Sequence, residues 1–393
     1  MQSTENTPQN EKYLRPLILD LGHSTFRLGW SGSDAPEIIA PSIYAEPTDF
    51  IFQSDIIEGI EDIISKEQGD KYLFGKDASE YRNILNIQRL EKKDNLSLFK
   101  EFFLTHYRRL NIPEDYLFMQ PIIIICPYDL SDLEKKEYKD LFFEKLNFPF
   151  LLFLPSDKAI LSTLKTVDGV IVDIGAENTY ISSVYHGFIN PMAKETFPIG
   201  GSHLTKFFLD LVLKRKQVDQ NLFFDIWMAK KFKEETALCV LNPDKERGKI
   251  KDGATNYDKI IKLPNQKQFK INYERFMLVE PLFNPQMINL DYENIIQKII
   301  NSIKFWEREN WESLLKNIIL TGGTSKISGL KKRLKLEIKQ HFSQHLGKKI
   351  TIIAPKDRVI MAWVGASLLA AQDKLEKWIK NPSLHKNLNN VNK

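Results

Sequence analysis

The feature that most constrains this chain is a short block that occurs twice. Leu17-Ile18-Leu19-Asp20-Leu21-Gly22 leads into Thr25-Phe26-Arg27-Leu28-Gly29-Trp30, and the same arrangement returns as Val170-Ile171-Val172-Asp173-Ile174-Gly175 followed by Thr179-Tyr180-Ile181-Ser182-Ser183-Val184-Tyr185. In both copies an apolar run ends in Asp-x-Gly and continues into an alternating run, which predicts a β-hairpin with glycine in its turn. Glycine lets the backbone approach a ligand closely, and successive turn N–H groups can cradle phosphate oxygens. An aspartate at the strand end is placed to hold a hydrated Mg²⁺, which keeps several waters and takes one or two carboxylates besides phosphates. Asp20 and Asp173 are therefore the candidate metal residues, acting through water. One such hairpin alone is a common structural turn, and the repetition is what gives it weight. A third block, Asn317-Ile318-Ile319-Leu320-Thr321-Gly322-Gly323-Thr324-Ser325, runs a strand into a Gly-Gly turn against which a base or ribose can pack. Duplicated hairpins facing each other imply two similar domains clamping one nucleotide.

Around these blocks strands and helical patterns alternate, which argues for an α/β fold. Pro121 to Cys126 reads as a further buried strand. Leu133 to Leu146 reads as a helix capped by Ser131, and Ser202 to Leu213, Asn294 to Phe305, Leu330 to Phe342 and Ile360 to Trp378 as further helices. At roughly 100–200 residues per domain, 393 residues allow two to four structural units. With 42% apolar and 27% charged residues, the composition excludes a collagen-like, largely disordered or disulfide-stapled chain.

Lys and Arg total 55 against 51 Asp and Glu, and this +4 excess is too small to argue for nucleic-acid binding. The polar Met1 to Lys12 segment has no secretory pattern. No apolar stretch approaches the ~20 residues that span a bilayer, so no membrane insertion is expected. The two cysteines, Cys126 and Cys239, sit in apolar surroundings and read as reduced, buried thiols of a cytoplasmic or nuclear protein. The tail from Asn381 to Lys393 is expected to fray.

Two charge blocks stand out. Gln53 to Asp70 carries Asp55, Glu58, Glu61, Asp62, Glu67 and Asp70 against Lys66, with isoleucines at 56, 57, 60, 63 and 64. It reads as a solvated excursion or as an amphipathic acidic helix that binds a partner. Lys331 to Lys349 is strongly basic and reads as a solvated helix face, without the aromatic interleaving of a nucleic-acid platform.

These residues resemble the actin family within the wider actin, Hsp70 and sugar-kinase superfamily. Asp34-Ala35-Pro36 with Pro41-Ser42-Ile43, Phe74-Gly75-Lys76-Asp77-Ala78, Tyr185-His186-Gly187-Phe188, Thr321 to Gly329, Ile352-Ile353-Ala354-Pro355 and Ala362-Trp363-Val364-Gly365-Ala366-Ser367 all match actin-like stretches, over roughly residues 15 to 386. The resemblance implies an α/β fold of the actin/Hsp70/hexokinase type, with two similar lobes of four subdomains around a nucleotide cleft. It places a tail at 1–14, the first lobe at 15–165 and 360–386 (with the acidic segment 49–70 in its second subdomain), the second lobe at 166–359 and a tail at 387–393. The implied cofactors are ATP or ADP with Mg²⁺. Carried over by position, Asp20, Gly22, His23, Ser24, Thr25 and Arg27 form the first phosphate loop, and Asp173, Gly175, Ala176, Glu177, Asn178 and Thr179 the second. Gly201 lies at the ribose side, Lys233 and Glu234 flank adenine and ribose, and Gly322, Gly323, Thr324 and Lys326 complete the base pocket.

The departures bear on chemistry. The family's lysine in the first loop is here Arg27, a fork in place of a point charge. His23 and Ser24 are bulkier than the usual turn residues, and Ala176-Glu177 adds a carboxylate near the γ-phosphate. Counting back from Asp173, the water-orienting glutamine falls on Ser156, and the histidine that helps position that water falls on Tyr180. Phosphoryl transfer depends on such positioning, and a serine is too short to supply it. The expectation is ATP binding with very slow or absent hydrolysis, Ser156, Asp173 and Tyr180 being degenerate catalytic positions.

Three functional classes follow. The first is an actin-like cytoskeletal or scaffolding subunit that assembles with itself, other actin-family subunits or an actin-binding protein, forming or capping filaments in the cytoplasm. The second is an actin-related module of a larger assembly, such as the dynactin pointed end or a nuclear chromatin remodeller, that binds a partner helix. The third is a sugar kinase-like phosphotransferase, against which the actin-like C-terminal blocks argue.

Overall fold

The computed structural model describes residues 14–50, 71–82, 84–90, 96–164, 166–215, 224–263, 266, 268–372 and 374–383. The acidic block at 53–70 and most of both tails lie outside the described residues. The chain divides into two compact units, Met1–Thr163 with Ile360–Lys393, and Leu164–Val359.

The first unit is built on a six-stranded sheet. The hairpin Leu17–Leu21 and Thr25–Trp30 extends antiparallel to Ile38–Pro41 on one side. On the other side Leu17–Leu21 runs parallel to Ile122–Cys126, which runs parallel to Phe150–Pro155, and Ile379–Lys380 closes the edge antiparallel. The alternation of side chains along a strand explains why these strands read as continuous apolar runs. Leu17, Leu19, Ile122 and Ile124 point into one core with the aromatic residues Phe99, Phe102, Phe103 and Phe142. Ile18, Ile123, Ile125, Leu152 and Leu154 point into a second core with Trp363 and Ala366. Both faces are covered, so no polar alternation survives in the sequence.

The second unit repeats this plan. The hairpin Gly169–Ile174 and Thr179–Tyr185 extends antiparallel to Glu195–Phe197, and Gly169–Ile174 runs parallel to Ile318–Thr321, which runs parallel to Ile352–Ile353. Antiparallel, antiparallel, parallel, parallel is the order in both units. The duplication visible as Asp-x-Gly in the sequence is thus a duplication of sheet topology.

Most expected helices form. Ser131 caps Asp132–Lys139 in a capping box with Glu134, and the helix continues as a π-turn segment over Asp140–Lys145. Gly201–Leu213 and Ile295–Lys304 follow, the latter capped by Asn294. Three expectations are corrected. The last helix spans only Met361–Ala371, because the chain must turn back to pair Ile379–Lys380 with the sheet. The basic helix ends at Lys339 rather than Phe342. At the C-terminus Asn381 does not fray: it is buried, and its amide donates to the carbonyls of Phe143 and Phe148. Both cysteines are buried and neither is in a disulfide, and burial pushes the Cys239 thiol up to about 12.

Candidate functional site

The two hairpins close in the same way. Gly22 N donates to Thr25 O at 3.0 Å, and Gly175 N donates to Asn178 O at 3.0 Å. In the first, Asp20 faces Arg27 across the strands; in the second, Asp173 faces Tyr180. The turns therefore span corresponding residues, Gly22-His23-Ser24-Thr25 and Gly175-Ala176-Glu177-Asn178. A Cβ at Gly175 would stand 2.8 Å from Asn178 O, so the closure itself requires glycine.

In the first unit the turn sits at the carboxyl edge of the parallel strands, where ligands bind in open α/β sheets. Asp20 pairs with Ile125, and the next strand ends at Pro155 beside Cys126. Ser156 follows immediately as the first residue of the helix Ser156–Ser162. The position expected to orient water thus lies on the same sheet edge as Asp20, two strands away. The hydroxyl of Ser42, a residue that sequence reasoning did not assign to the site, donates to Gly22 O and ties the turn to the neighbouring strand. His23 is exposed and Ser24 half-buried. Arg27 is buried, and its Nη1 donates to Asp20 Oδ2 at 2.6 Å.

In the second unit three elements meet at one carbonyl. Gly175 O accepts from Gly201 N at 3.0 Å and from Thr324 Oγ1 at 2.8 Å, while Ala176 O accepts from Ser202 N at 2.7 Å. The hairpin turn, the start of the Gly201–Leu213 helix and the Thr324–Lys326 turn are thereby locked together. Close approach demands glycine here. A Cβ at Gly201 would lie 2.5 Å from Thr324 Oγ1, and one at Gly322, where φ is +83°, would overlap Ile174 O and lie 2.5 Å from Asp173 Oδ1. Thr321 pairs in register with Asp173, which sets the Gly322-Gly323 turn directly beside the aspartate. Open space lies on the Cβ side of Gly323.

Lys233 is buried on the helix Ile226–Thr236, and its ammonium donates to Gly201 O at 2.6 Å and to Thr205 Oγ1 at 2.7 Å. Glu234 and Lys326 are exposed, Glu177 is half-buried, and Asn178 donates to Tyr180 Oη at 3.3 Å. Arg358, another residue not singled out from sequence, braces the Gly-Gly turn: its Nε donates to Ser325 Oγ, and its carbonyl accepts from Thr321 Oγ1. The helix carrying Lys233 was also missed, although Asp225 caps it directly before Ile226.

Burial pushes Glu280 up to about 7, against the pull of Arg333. That pair belongs to the network joining the Val240 carbonyl to the helix Leu330–Lys339, through Arg333 and Glu337. Among the described residues no group of three or more His, Cys, Asp or Glu could hold a metal by itself. Among the same residues no helix is long and apolar enough to cross a membrane.

Comparison with known proteins agrees with this architecture. The family model described as Actin matches residues 11–381. A curated "Actin-like protein" of Neurospora crassa is 26% identical over 382 residues, covering 95% of this chain and 96% of that protein. The chain belongs to the actin family. It is a divergent, actin-related structural protein with an α/β fold.

Proposed function

We propose that this chain is a nucleotide-holding subunit: it binds ATP or ADP and hydrolyses ATP slowly or not at all. The observation that carries the reading is the matched closure of Gly22–Thr25 and Gly175–Asn178 beneath Asp20 and Asp173. The residues fit a nucleotide. Turn N–H groups suit phosphate oxygens, and the Gly322-Gly323 turn beside Asp173, with open space at Gly323, suits a flat base. Gly201 with Lys233 would lie toward the ribose, and exposed Glu234 and Lys326 are the charged groups at its border. A bound Mg²⁺ would supply charge neutralisation of the phosphates, with Asp173 the carboxylate offered to its waters.

Slow hydrolysis follows from Ser156 and Tyr180. A serine hydroxyl at the first turn of a helix lacks the reach of an amide side chain to hold an attacking water, and a phenol replaces an imidazole opposite Asp173. Positioning of the nucleophile is most of what a protein supplies to phosphoryl transfer. Single-turnover phosphate release is the test. Ser156→Gln is expected to raise the rate about tenfold or more; an unchanged rate contradicts the assignment of that position.

The biological setting is either a filament or scaffold subunit, partnered by itself or other actin-family chains, or a module of a multi-protein complex. Sedimentation with Mg-ATP separates the two settings. Pelleting supports a polymer, and a persistent soluble monomer supports a module. The cytoplasm suits the first, and either cytoplasm or nucleus the second.

A further inference from the structure

We infer that the Arg27–Asp20 pair makes nucleotide binding by this chain only weakly dependent on a divalent cation. This rests on the nucleotide reading above and goes beyond it, because it assigns to a fixed guanidinium a charge that a metal would otherwise bring.

The duplicated hairpins provide an internal comparison. Asp20 and Asp173 hold corresponding places, but their cross-strand partners differ: a guanidinium faces Asp20 and a phenol faces Asp173. The Arg27–Asp20 contact is 2.6 Å, with side chains only 11% and 17% exposed. A pair so far out of water is little screened by salt. Its geometry is set by strand register and not by a chance meeting of two surface chains. A hydrated Mg²⁺ is held by carboxylates that keep their negative charge, together with phosphates. Asp20 has spent that charge on Arg27, and to serve the metal it would have to release a buried guanidinium.

The fork is suited to the substitute role. Arginine presents five donors in a plane, and Asp20 takes the hydrogen bond from Nη1. Its Nε is buried without an acceptor among the described residues, so the pair is not a saturated structural bridge. A guanidinium can serve a carboxylate and a phosphate at the same time, which the point charge of lysine does poorly. At the first hairpin the phosphate charge is therefore met by Arg27 and not by a cation resting on Asp20.

The test is equilibrium binding of ATP to the full chain, by calorimetry, in Mg²⁺ and again in excess EDTA. The dissociation constant is expected to rise by less than about tenfold when the metal is removed. Asp20→Asn, which keeps the shape, is expected to leave that ratio unchanged. Arg27→Met is expected to steepen it to about a hundredfold, by returning Asp20 to the metal, with Arg27→Lys in between. A wild-type ratio of about tenfold or more, or loss of metal dependence in Asp20→Asn, overturns the inference while leaving the nucleotide reading intact. Absence of ATP binding in both buffers overturns the nucleotide reading itself, and this inference with it.

Discussion

Gly322→Val is expected to abolish ATP binding and to destabilise the second unit by roughly 3 kcal/mol or more. Two independent costs combine. Gly322 has φ of +83°, a region that a β-branched residue adopts only under strain. Its Cβ would also overlap the carbonyl oxygen of Ile174 and lie 2.5 Å from Asp173 Oδ1. Neither neighbour can move freely. Ile174 is a fully buried strand residue, and the backbone of Asp173 is fixed in register against Thr321 and Tyr180. Relief must come from the turn, and shifting the turn breaks the Thr324 contact to Gly175 O that joins it to the second hairpin. Chemical denaturation reads the first effect and ATP titration the second. Gly322→Ala, with strain but less bulk, is expected to show the same binding loss in a form that still folds. Wild-type affinity in that variant would mean that the Gly-Gly turn does not contact the nucleotide.

The second large effect is expected at Gly365. It lies mid-helix in Met361–Ala371, where glycine costs about 1 kcal/mol relative to alanine on propensity alone, so Gly365→Ala would stabilise an isolated helix. In the folded chain the sign reverses. A Cβ at Gly365 would overlap the carbonyl oxygen of Ala159 and sit 2.9 Å from Ser162 Oγ. The Ser162 hydroxyl already bridges the two helices by donating to Gly365 O at 2.9 Å. The helices Ser156–Ser162 and Met361–Ala371 touch through backbone here, so the added methyl must push them apart. A loss of about 2–3 kcal/mol is expected, whereas Leu368→Ala on the exposed side is expected to change stability by under about 0.5 kcal/mol. Thermal unfolding compares the two. Because the displaced helix begins with Ser156, Gly365→Ala is also expected to shift that residue.

How much of this was legible in the sequence depends on where the constraint is local. The two Asp-x-Gly turns were readable because a tight turn needs its glycine within the same few residues. The capping of Asp132–Lys139 was equally readable, since Ser131 and Glu134 satisfy each other over one turn. The overrun at the last helix has the opposite cause. Gln372 to Trp378 is compatible with helix, and only the need to place Ile379 beside Leu151 ends it at Ala371. Asn381 looked like the start of a polar tail, but its amide answers the carbonyls of Phe143 and Phe148, far away in the sequence. At the site, the resemblance supplied the positions, but not the partners. Arg27 reads as the counterpart of the family's lysine, and only the fold shows that it is paired with Asp20, while Lys233 is held on Gly201 O and Thr205. Ser42 and Arg358 brace the turns from other elements, and no spacing rule reaches that far. Trp363, in the last of the actin-like stretches, is wholly buried, with its indole N–H on Ile18 O.

We propose above that this actin-family chain holds a nucleotide and hydrolyses ATP slowly or not at all. The most direct measurement is to incubate the purified protein with Mg-ATP, remove free nucleotide, and identify chromatographically what remains bound over several hours. The account predicts about one nucleotide per chain, retained as ATP. Bound ADP appearing within minutes, or no retained nucleotide at all, would contradict it.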